Sequence, residues 1–102
     1  MSPTLISRLE RLAAAGIQIL PFPELSTHFV LEREGCVVLV ERRGEGFGAL
    51  GSPGVLIEGA FAALVMRGGK DWLVGKNTSR EAAGAEASAA RRLYRDVRDI
   101  LG

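Results

Sequence analysis

An α+β domain is the fold this sequence predicts: an antiparallel sheet of about five strands built from two hairpins, with N- and C-terminal helices packed on one face. Two apolar, β-rich runs, Phe29 to Glu32 and Cys36 to Arg42, flank Glu34-Gly35, a two-residue turn sequence. A second pair of runs, Phe61 to Arg67 and Lys70 to Lys76, flanks Gly68-Gly69 in the same way. Stretches with apolar residues at helical spacing lie before and after the hairpins.

The first helix is expected over residues 3 to 15. Ser2 can cap its free amide donors, and Pro3 at the first helical position loses no hydrogen bond. Leu5, Leu9, Leu12 and Ala13 form one stripe, while Arg8, Glu10 and Arg11 take the other side. Gly16 supplies the left-handed residue that ends a helix, with Ile17 placed to pack back on the last turn. Ile17 to Leu20 then reads as a short edge strand, stopped by Pro21 and Pro23, which cannot donate to a ladder.

If Glu34-Gly35 is a two-residue loop it sets the register of the first hairpin, whereas a glycine bulge at Gly35 would slip that register by one residue. Arg33 faces Cys36, Leu31 faces Val38 and Phe29 faces Val40 on one side. Glu32 with Val37, Val30 with Leu39 and His28 with Glu41 share the other. In the second hairpin Phe61, Val65, Trp72 and Val74 lie on one face and Leu64, Met66 and Leu73 on the opposite one. Both faces therefore carry large aliphatic side chains at mid-strand.

Between the hairpins, Gly46, Gly48 and Gly51 match G-x-G-x-x-G, a spacing that in dinucleotide-binding folds cradles a pyrophosphate between a strand and a helix N-terminus. Pro53, Gly54 and Gly59 punctuate the next ten residues, so the expected reading is a turn with Phe47 and Leu50 anchored in the core. Ser52-Pro53 could open a short helix through about Phe61. The final helix starts at residue 79, where Thr78 and Glu81 match a capping box, or near residue 85, beyond Gly84. Ala87, Ala90, Leu93, Tyr94, Val97, Ile100 and Leu101 form its apolar stripe. The resulting order of helix, three strands, short helix, two strands, helix resembles the small α+β fold of the type III secretion chaperones. That resemblance implies a dimer that binds partner polypeptides.

Composition bounds the function. The 102 residues, 47% hydrophobic and 25% charged, suit one domain spanning 1–102 rather than a disordered chain. A net charge of +1 lacks the basic footprint of a nucleic-acid binder, and Asp96 and Asp99 sit among the arginines of the last helix. No run approaches the ~20 apolar residues of a membrane span, and no basic leader precedes an apolar core. With a lone cysteine and no cluster of metal-ligand spacing, a cytoplasmic protein without metal or cofactor is expected. Abundant Ala, Arg and Gly are compatible with a GC-rich bacterial genome.

Two helices cover one sheet face, which leaves the other to be buried by something else. The cheapest cover is a second copy of the chain in a twofold homodimer, with Val30, Val37, Leu39 and Trp72 as interface candidates. The sequence thus points to a protein-interaction or assembly module, chaperone-like rather than enzymatic. The rival is a small-molecule pocket at the Gly44–Gly54 loop using Phe47, Gly48 and His28, closed by Trp72. An enzyme would need His28 as a base, oriented by Glu41, but no nucleophile stands beside it and Cys36 lies on the opposite face.

Overall fold

A computed structural model describes residues 3–22 and 25–102 of the chain. Helix α1 spans Pro3–Ala14, the strands are β1 (Gln18–Leu20), β2 (His28–Arg33), β3 (Cys36–Arg43), β4 (Gly46–Ile57), β5 (Ala60–Arg67), β6 (Lys70–Gly75) and β7 (Ser79–Glu81), and helix α2 spans Gly84–Leu101. The strands form a single antiparallel sheet in sequence order. The α+β class holds, with seven strands in place of the expected five or so.

The turns explain the meander. Glu34 and Gly35 have φ of 54° and 84°, Glu58 and Gly59 of 51° and 82°, and Gly68 and Gly69 of 57° and 77°. Two consecutive left-handed residues make the turn whose twist matches that of paired strands, so each dipeptide closes a two-residue hairpin. The β2–β3 register matches the expected one throughout, from His28 opposite Glu41 to Arg33 opposite Cys36. The second hairpin also keeps its register, with Val65 opposite Trp72 and Leu64 opposite Leu73.

Residues 44–54 depart from the expected turn. From Gly46 onward they belong to β4, a twelve-residue strand that pairs with β3 through two register irregularities. No helix starts at Ser52-Pro53, so the element order behind the resemblance to type III secretion chaperones is not the observed one. The Glu58-Gly59 turn, a repeat of the dipeptide at 34–35, closes a third hairpin between β4 and β5. Thr78 and Glu81 form no capping box, because residues 79–81 are the edge strand β7. Helix α2 instead begins at Gly84, where Glu86 reaches back to accept the Ala83 N–H at 2.9 Å. Ser2 lies outside the described residues.

Both helices pack on one face. Leu31, Val38 and Val40 from that face join Leu12 of α1 and Ala90, Leu93 and Val97 of α2 in one buried cluster. Gly16 ends α1 with φ of 76°, and the Ile17 N–H returns to the Leu12 carbonyl at 2.9 Å, which drops Ile17 into the core. Arg33 ties the layers together: it donates to the Ala15 carbonyl at the end of α1 (3.1 Å) and to Asp96 of α2 (2.8 Å). Arg91 of α2 pairs with Asp71 of β6, extending the helix over the second hairpin.

Candidate functional site: the open face of the sheet

Strand alternation sends every second side chain away from the helices. From β1 to β3 this open face receives Leu20, Val30, Val37 and Leu39, and from β4 to β6 it receives Leu56, Phe61, Ala63, Val65, Trp72 and Val74. Neither helix stands against this row, yet its centre is dry. Val30 is 2% exposed and Val37 is fully buried, while Leu39, Phe61 and Trp72 are half-buried.

The neighbours of Val37 explain this. Val37 lies opposite Gly54, and Phe61 Cε1 would come within 2.9 Å of a β-carbon at residue 54. The Phe61 ring therefore spreads over the glycine toward Val37. On this face Val30 and Val37 are buried, and Leu39, Leu56, Phe61 and Trp72 are half-buried. Of the four interface candidates, Leu39 and Trp72 are half-buried, whereas Val30 and Val37 are buried.

Strand β4 obeys the same logic. A β-carbon at Gly48 would lie 2.9 Å from Glu41 Oε1 and one at Gly51 would lie 3.1 Å from the Leu39 carbonyl oxygen. The glycines let β4 press against β3 through its irregular register. They are spent on a close strand crossing, and no helix N-terminus follows them to hold a phosphate.

The expected small-molecule pocket is not assembled. Phe47 packs at a tilt against Phe29 with ring centroids 5.0 Å apart, on the helix side, and Arg42 sits over the Phe29 ring at 4.2 Å. His28, Gly48 and Trp72 belong to the open face, so the sheet itself separates Phe47 from them. His28 is hydrogen-bonded through Nδ1 to Thr27 Oγ1 at 2.8 Å, and Glu41 opposite it accepts from Arg43 at 2.8 Å. Cys36 is buried on the helix side, where desolvation and then the nearby Glu34 carboxylate push its thiol pKa up.

An open groove of about 510 Å³ runs past Cys36, Val55 and Ile57 to the start of α2. On its rim Arg80 donates to both carboxylate oxygens of Glu86 at 2.9 and 2.8 Å. Among the described residues no three His, Cys, Asp or Glu side chains gather to hold a metal ion, and no helix is long and apolar enough to cross a membrane.

Sequence reasoning missed Leu56 and Leu20 as members of the open face. The signal for Leu56 was the Glu58-Gly59 turn, which fixes the register of β4 on β5 and with it the side on which Leu56 falls. Compared with protein-family models, curated proteins and solved structures, the chain matches none.

Proposed function

We propose that the protein is a homodimeric protein-interaction or assembly module, cytoplasmic, that works through the sheet face opposite its helices. The observation that carries this reading is the row Leu39, Leu56, Phe61 and Trp72, half-buried around a buried Val30–Val37 floor, with both helices committed to the other side. Large contiguous apolar patches are unusual on isolated chains, because each apolar Å² left in water forgoes roughly 25 cal/mol. A second copy placed by a twofold axis would cover the row with its own equivalent. The net charge of +1 sets no long-range repulsion against such a pair.

Light scattering of wild type and Leu39→Asp over micromolar concentrations tests the reading. The expected result is a wild-type dimer and a folded, monomeric variant. A wild-type chain that stays monomeric throughout that range overturns it.

A further inference from the structure

A sheet exposes unpaired backbone wherever a strand lacks a neighbour, and the outer edges here are blunted. β1 has three residues and runs into Pro21, while β7 is Ser79-Arg80-Glu81, exposed and mostly charged. The interior of the sheet holds a less protected break. β4 extends over Gly46–Ile57, but it pairs with β5 only through Gly54–Ile57, and β5 returns only Ala60–Ala63 of its eight residues.

Pro53 accounts for the break. Continued one step, the register would set Pro53 opposite Leu64, and proline has no N–H to give to a ladder. Beyond that point β4 remains on β3 and β5 remains on β6, so the sheet forks. Each prong keeps alternate N–H and C=O groups turned outward, within Gly46–Ser52 on one side and at Leu64 and Met66 on the other, since Val65 and Arg67 turn theirs toward β6. No backbone bond joins either row to a further element among the described residues. Met66, on the β5 prong, is 68% exposed, more than Ile6 or Ile19.

We infer that the fork is a strand-addition site, in which an extended polypeptide segment of a partner protein pairs with Leu64–Arg67 and lies along the free side of β4. This goes beyond the face-mediated assembly proposed above and uses different atoms. The occupant is set by backbone complementarity. A segment seated between two prongs needs both of its own edges free, as an isolated extended peptide has. A second copy offers only β1 and β7, short and blunted, or its own prongs, each with a single free side. Side-chain chemistry narrows the partner further. Leu64 and Met66 point to the helix side and ask for apolar residues at alternate positions, with Met66 adaptable in shape. Arg67 has no ion-pair partner among the described residues, so an acidic residue beside it complements the site.

The test is amide hydrogen exchange on the full chain, followed by NMR, with a short synthetic peptide of alternating valine and threonine ending in two glutamates. The expected result is slowing by about tenfold or more at amides within Leu64–Arg67 and Gly46–Ser52. It should be lost when the same peptide is N-methylated at alternate residues, a control that leaves the protein untouched. Arg67→Glu should weaken binding about tenfold, and a peptide ending in two lysines should restore it. Leu39→Asp, which breaks the face-mediated dimer, should leave this protection unchanged. The inference is overturned by no peptide-dependent slowing, by peptide contacts confined to Leu39 and Trp72, or by protection of β5 that appears on concentrating the protein without peptide.

Discussion

Gly54 and Phe61 are locked together on the open face: a β-carbon at residue 54 would lie 2.9 Å from Phe61 Cε1 and press on the Ala62 carbonyl behind it. The contact sits at the last paired step before β4 and β5 part, with Val37 opposite Gly54 on the other side. Gly54→Ala should therefore cost about 2 kcal/mol, since the overpacking penalty of ~1–3 kcal/mol outweighs the modest gain of replacing glycine in a strand. Urea unfolding is expected to show a lower midpoint at unchanged slope. A midpoint equal to wild type would mean that β4 shifts freely at this step.

Glu58 occupies the first turn position of the β4–β5 hairpin with φ of 51°, a conformation that costs an L-residue other than Asn, Asp or Gly roughly 1 kcal/mol. Glu58→Asn creates the preferred Asn-Gly pair and should raise the melting temperature by about 2–5 °C. Calorimetry decides, and a decrease would show that Glu58 contributes a contact worth more than its backbone strain.

Arg33 serves two partners, the Ala15 carbonyl and Asp96, from a position 21% exposed at its side chain. Asp96→Ala should cost about 1 kcal/mol, in the range of partly exposed ion pairs, and lose effect in high salt. Arg33→Ala should cost more, because the carbonyl that closes α1 also loses its donor. Chemical denaturation of both variants at two salt concentrations gives the comparison.

Glu86 accepts two bonds from Arg80 and one from the Ala83 N–H, and together these lower its pKa from 4.5 to about 2. A folded-state pKa below the ordinary value contributes stability that is complete above 4.5 and disappears as pH falls toward about 2. Asp71, held below its ordinary range by Arg91, acts in the same direction. Glu86→Gln should be less stable than wild type at neutral pH, and the difference should narrow through the acid range. A constant difference at all pH values would assign its role to packing.

Cys36 lies 6% exposed with its thiol pKa pushed up by burial, so both access and thiolate fraction are low. An aromatic disulfide reagent at mildly alkaline pH should label the native chain at least ~10-fold more slowly than the urea-unfolded chain, at a rate set by local opening. Equal rates would place the sulfur in the groove beside α2 and open to solvent.

Local chemistry carried much of the fold in the sequence. The α1 boundaries follow from Pro3 and Gly16, and the pairings of both expected hairpins follow once Glu34-Gly35 and Gly68-Gly69 close as two-residue turns without a bulge. Alternation along those strands put Leu31 and Val30 on opposite faces, but which of the two the helices cover was not legible in it. These features depend on residues within a few positions of one another, where steric preference and hydrogen-bond reach are decided.

What only the tertiary structure decided depends on distant strands. The Gly46–Pro53 stretch reads as a turn or as the start of a helix because its glycines and proline weaken any local preference. It becomes a strand because β3 offers a ladder close enough that a β-carbon at Gly48 or Gly51 would meet Glu41 or Leu39 at 2.9 or 3.1 Å. The same proline that suggested a helix start ends the pairing with β5 and forks the sheet. Phe47 and His28, which a linear reading placed in one pocket, are separated by the sheet because β4 and β2, on either side of β3, project them to opposite faces, a relation fixed by the β2–β3 and β3–β4 registers and invisible along the chain. The buried Val37 is likewise set opposite Gly54, over which Phe61 lies, and neither neighbour is close to it along the chain.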